Sequence, residues 1–144
     1  RVVAVDINLA YLERLVERFP APSFALEVRC ADLAECSFER EAFDLVHAAL
    51  ILEYVDWTRV LPRLAEAIRP GGVLSAVLQL SSDAIPVVTP TPFTTLRLLE
   101  SIFCFVDPDL LIAEAAALGL HLESRRSERR ESSKAFDVLR LRKS

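Results

Sequence analysis

Two aspartates stand where short apolar runs end. Asp6 closes Val2-Val3-Ala4-Val5, and Asp32 sits in Cys30-Ala31-Asp32-Leu33 after a second such run. A carboxylate at the end of a buried strand can accept two hydrogen bonds from the vicinal hydroxyls of a ribose, its recurring role in nucleotide-cofactor sites. The competing readings are a helix-dipole partner for Asp6 and a plain turn residue for Asp32. A third group with chemical scope is Glu53-Tyr54 in Leu50-Ile51-Leu52-Glu53-Tyr54-Val55. Aimed into a site, Glu53 would act as the catalytic general base on a hydroxyl, an amine or an acidic carbon, or would bind a cation; otherwise it is a surface acid at a helix start. Tyr54 and Trp57 suit the aromatic wall of a substrate pocket or amphipathic packing. Metal chemistry has little to work with: Cys30, Cys36 and Cys104 form no C-x-x-C pair, and His47 and His121 are the only histidines.

The elements that must position these residues follow from periodicity. Val2 to Val5 is a β-branched run of the kind buried in a parallel sheet. From Asn8, a candidate N-cap, the positions Leu9, Leu12, Leu15, Val16 and Phe19 recur at helical spacing until Pro20. Strands are expected at Phe24 to Cys30 and from Phe43 to Ala48. A helix follows Asp56, with Pro62 near its first turn. Arg69-Pro70-Gly71-Gly72 should stop that helix before a strand at Val73 to Leu80. Strands alternating with amphipathic helices imply a parallel sheet wound by right-handed crossovers, with ligands at the carboxyl ends of its strands. Residues 81–106 read as a lid or substrate insertion, carrying Pro86, Pro90 and Pro92, then a short apolar helix at Leu96 to Phe105. Asp107-Pro108 caps a helix ending at Gly119, and strand-like His121 to Ser127 and Ala135 to Leu141 form an antiparallel hairpin. No boundary divides the chain, which reads as one α/β domain, 1–144.

The bulk numbers narrow the partners. With 144 residues, 52% hydrophobic, 26% charged and a net charge of -4, the chain has the makeup of an ordinary domain without the excess of Lys and Arg that a nucleic-acid surface needs. The run Arg125 to Arg130 has acids at hand and reads as a solvated hairpin. No stretch approaches the roughly 18 to 20 apolar residues of a membrane span, and the start is too quickly acidic for a signal peptide, so the expected address is cytoplasmic.

In order and spacing, VVAVDIN, CADL, FDLVHAALILEYVD, IRPGGVL and a hairpin after ALGL resemble the class I, Rossmann-like S-adenosylmethionine-dependent methyltransferases of the small-molecule, ubiquinone-biosynthesis-like kind. The resemblance implies a three-layer fold on a seven-stranded sheet with a reversed final hairpin, S-adenosyl-L-methionine as cofactor and a small-molecule methyl acceptor. It implies that Asp6 binds the ribose, Ile7 packs on the adenine, and Asp32 and the Leu33 N–H read the adenine edge. It places Ala48 and Ala49 beside the methionine part. Phe93, Phe103 and Phe105 become candidates for an apolar acceptor pocket, or for a homodimer contact. The absence of an N/D-P-P-Y motif after Val46 speaks against methylation of exocyclic amines on adenine or of glutamine amides.

In that family a first strand and a glycine-rich loop precede the segment matching Arg1, and the three glycines here, Gly71, Gly72 and Gly119, lie elsewhere. The expectation is therefore either roughly 40 further N-terminal residues or a substitute strand, since a central strand with one bare edge leaves backbone groups unpaired. Two other readings stay open: a degenerate methyltransferase-like binding module, which a glycine-rich run just before Arg1 would disfavour, and a fragment of a nicotinamide-dependent oxidoreductase, which the layout of FDLV and R-P-G-G disfavours.

Overall fold

The computed structural model describes residues 1–81, 100–129 and 134–144. The chain divides into two compact units, Arg1–Ser37 and Phe38–Ser144, each with its own sheet.

In the first unit, β1 (Val2–Asp6) pairs in parallel with β2 (Leu26–Cys30), from Val2↔Leu26 to Asp6↔Cys30. Parallel neighbours need a crossover, and α1 (Leu9–Arg18) supplies it. Asn8 caps this helix as expected, its Oδ1 accepting from the Ala10 N–H at 3.0 Å, and Leu12 is its buried anchor. The strand β2 starts two residues later than Phe24 because β1 begins only at Val2, opposite Leu26.

In the second unit, β3 (Phe43–Ala49) runs parallel to β4 (Ile68–Gln79) with α2 (Trp57–Ala67) crossing between them. Val60, Leu61, Leu64 and Ala65 of α2 are buried, the face that the helical spacing predicts. Pro62 lies in the second turn rather than near the first. Beyond α3 (Pro108–Ala117), the hairpin of β5 (Leu120–Arg129) and β6 (Ala135–Lys143) folds back. Strand β6 lies antiparallel between β4 and β5, giving the order β3-β4-β6-β5. The reversed hairpin expected at the end of the chain is therefore present. Asp107 caps α3 through the Asp109 N–H at 2.8 Å, and Gly119 takes a φ of +78 just past its end.

Arg69-Pro70-Gly71-Gly72 corrects the expected boundary. The helix ends at Ala67, and β4 takes over at Ile68 rather than at Val73. Ile68 already pairs with Phe43, and Val73 with Leu45, so five steps along β4 oppose two along β3. The segment is a bulge within the strand. Gly71 adopts a φ of +77, and its carbonyl accepts from Arg142 Nη1 at 2.7 Å. Most of the expected lid, including Phe93 and the start of the helix proposed for Leu96 to Phe105, lies outside the described residues.

Candidate active site

The carboxyl ends of β1 and β2 bring the two aspartates to the same end of one parallel pair. Each is followed by a backbone N–H that turns back onto it. Asp6 Oδ1 accepts from the Asn8 N–H at 2.7 Å, and Asp32 Oδ1 accepts from the Ala34 N–H at 2.8 Å. These bonds fix the two carboxylates, and no described residue bonds the second oxygen of either. The ends are also tied to each other, since the Ala31 N–H donates to Asp6 O at 3.1 Å. Asp32 O then accepts from the N–H groups of Glu35 and Cys36, so Asp32 is both a turn residue and an acid with an oxygen to spare. Ile7 projects outward at 72% exposure, an uncommon position for isoleucine, while its carbonyl lies 3.6 Å from Cys30 Sγ. Leu33 is half-buried. Fixed acids beside an exposed apolar side chain suit a ligand with a flat apolar ring and adjacent hydroxyls.

In the second unit, the carboxyl ends of β3 and β4 carry Ala48, Ala49, Glu53, Tyr54 and Gln79. Ala48 is buried and Ala49 exposed. Leu50 turns the chain with a φ of 54, and its N–H donates to Val77 O at 2.9 Å. A single 3-10 turn, Leu52–Tyr54, follows. Glu53 is no surface acid, being 1% exposed. Its Oε1 accepts from the Gln79 N–H at 2.7 Å, while Oε2 is buried with no hydrogen-bond partner among the described residues. Burial pushes its carboxyl above the usual range, partly offset by the Gln79 N–H. Tyr54 meets Phe103 edge to face with centroids 5.4 Å apart, and Phe103 meets Phe105 in the same way at 4.9 Å. Trp57 is half-buried at the start of α2.

Two features escaped the sequence. Gln79 as the partner of Glu53 was signalled only by a polar residue ending the apolar run of β4. The second is the network around Asp137, fully buried, which takes Arg125 Nε on Oδ2 at 2.6 Å and Ser127 Oγ on Oδ1 at 2.5 Å. An acid at an inward position of an alternating strand was its one trace.

Parallel α/β pairs with acids at their strand ends and a reversed final hairpin are of Rossmann-like build, in which ligands sit at the carboxyl ends of the strands. Within that class, the Methyltransferase domain family model matches residues 1–76, and the chain belongs to that family. A trans-aconitate 2-methyltransferase of Variovorax paradoxus is 37% identical over 76 residues, which are 52% of this chain and 28% of the relative. The chain spans about a quarter of the length of the curated relatives it matches, 28% and 27%. Among solved structures, an S-adenosylmethionine-dependent methyltransferase from Mesorhizobium loti matches with a TM-score of 0.77 at 17% identity, covering 99% of this chain and 80% of that one. A 1,6-didemethyltoxoflavin-N1-methyltransferase of Burkholderia thailandensis, solved with its acceptor and S-adenosylhomocysteine, matches with a TM-score of 0.73 at 15% identity over 100% of this chain and 61% of that one. The Rossmann-like methyltransferase fold is thereby established for this chain.

Proposed function

We propose that this chain is the cofactor-binding part of an S-adenosylmethionine-dependent methyltransferase acting on a small-molecule acceptor. The observation that carries the reading is the pair Asp6 and Asp32, each with one carboxylate oxygen fixed by backbone and the other unbonded among the described residues. In this reading the unbonded oxygen of Asp6 accepts the ribose hydroxyls, Asp32 takes the adenine amino group beside the Leu33 N–H, and exposed Ile7 covers the ring. The resemblance assigns Ala48 and Ala49, small residues at the end of β3, to the amino-acid portion, and Tyr54, Trp57 and Phe93 to the acceptor. The cofactor supplies an already activated methyl group on a sulfonium. The protein's task is then to align an attacking atom with the carbon–sulfur bond and keep water out. This reading assigns the protein to the reducing cytoplasm, where cysteines stay as thiols.

The relatives' acceptor does not carry over with the cofactor. The family model matches residues 1–76, which bear Asp6 and Asp32, while the segments after Gln79 lie beyond that match. Titration calorimetry of S-adenosylmethionine and S-adenosylhomocysteine against the full-length protein tests the reading. Micromolar binding that Asp6→Ala abolishes supports it, whereas folded protein that binds neither compound refutes it in favour of a non-catalytic module.

A further inference from the structure

Of the two buried acids among the described residues, Asp137 has both oxygens bonded, whereas Glu53 has one oxygen bonded and one bare. An isolated 3-10 turn of three residues has little stability of its own, and here it follows a leucine at positive φ. The turn is held from outside. The Leu50 N–H bonds to Val77 O, the Gln79 N–H bonds to Glu53 Oε1, and the Cys104 N–H bonds to Glu53 O at 2.8 Å. The side chain of Glu53 is thus the link between this turn and the last residue of β4, and its backbone is the link to the segment bearing Phe103. Tyr54 comes next in sequence, and its ring lies against Phe103. Among the described residues the aromatic row ends at Phe105, which is 44% exposed.

We propose that Glu53 is a positioning residue for the methyl acceptor, locking the turn after β3 to the end of β4 so that Tyr54, Phe103 and Phe105 form a wall for a flat aromatic acceptor. This rests on the methyl-transfer reading above. Ring pairs at centroid separations of 4.5–7 Å favour tilted and edge-to-face packing, and the row already runs in that geometry, so a further flat ring extends it at little cost. The role assigned to Glu53 needs an acceptor oxygen for the Gln79 N–H and no charge. A neutral amide would serve equally, which separates this role from proton abstraction. Burial raises the carboxyl above its usual range.

The test uses the full-length protein saturated with S-adenosylhomocysteine and 2-naphthol as the probe, with cyclohexanol as a control that is not flat. Calorimetry is expected to show naphthol binding by the wild type and by Glu53→Gln within about threefold of each other. Glu53→Ala should weaken it at least tenfold, with S-adenosylhomocysteine affinity unchanged and cyclohexanol unbound. Loss of naphthol binding in Glu53→Gln, equal binding in Glu53→Ala, or no preference for naphthol over cyclohexanol overturns the proposal. Should Glu53→Ala not fold, Tyr54→Leu takes its place: unchanged naphthol affinity in that variant overturns the wall. Failure of S-adenosylhomocysteine itself to bind sinks the reading beneath the proposal and is seen before naphthol is added.

Discussion

At the scale of single residues, Asp6 and Glu53 illustrate opposite uses of a carboxyl. Asp6 is only partly buried and held by a neighbouring N–H through one oxygen, which leaves the other to offer to a ligand. A hydrogen bond to a charged acceptor is worth about 1.5–3 kcal/mol. Asp6→Asn is therefore expected to weaken S-adenosylhomocysteine roughly tenfold to a hundredfold in calorimetry. Glu53 lies where charge is disfavoured, and its carboxyl is raised above the free value. The stability it contributes is fully present below the unfolded value of about pH 4.3 and declines as pH climbs through the folded value. Urea unfolding from pH 4 to pH 8 should show Glu53→Gln gaining stability relative to the wild type as pH rises. A difference that stays flat across the range would mean that Glu53 is not shifted. The strand-end placement of Asp6 and Asp32 was legible from sequence because an acid after an apolar run is a local signal. The environment of Glu53 was not, because its partner Gln79 lies 26 residues away.

At the scale of elements, periodicity located the helices well: Asn8 and Asp107 cap where their residue types said they would. The Arg69-Pro70-Gly71-Gly72 segment shows why a boundary is harder to read. Proline and paired glycines mark a break in helix and a bulge in strand alike, and only the partner strand decides between them. In the bulge, a Cβ on Gly72 would lie 2.7 Å from Ile68 Cγ2, 2.9 Å from Arg69 O and 3.0 Å from Phe43 O. Gly72→Ala is accordingly expected to cost about 1–3 kcal/mol, read as a lower urea midpoint with an unchanged slope. Arg125 joins elements in another way, bonding Asp137 on β6 and Asp109 on α3 from its place on β5. Arg125→Met leaves a fully buried carboxylate without its cation and should destabilise by about 3 kcal/mol or more in the same assay.

At the scale of the whole molecule, the class of fold was legible. Alternating strands and helices, then a late hairpin, were enough to predict a parallel α/β sheet, and it was the resemblance of VVAVDIN, CADL, FDLV and IRPGG to the family's motifs that implied a Rossmann-like methyltransferase. The pairing order β3-β4-β6-β5 was not legible, because hydrophobic pattern reports which residues are buried and not which strand edges pair. A ligand that binds only folded protein raises stability by mass action, by about 2.7 kcal/mol at a hundredfold excess over its dissociation constant. S-adenosylhomocysteine at that excess should raise the melting temperature of the full-length protein by several degrees, and Asp6→Ala should lose most of that rise. An identical rise in the variant would place the cofactor away from Asp6.

The backbone bonds that hold Asp6 Oδ1 and Asp32 Oδ1 also bear on how ligand binding divides between enthalpy and entropy. A free aspartate must give up rotamers when it grips a ligand, and each side chain frozen at that moment costs about 0.5–1.5 kcal/mol. Here the Asn8 and Ala34 amides have already frozen both carboxylates as the strands fold. The ordering takes place before any ligand arrives, so in the proposed site the entropic loss recorded on binding falls on the ligand rather than on the acids.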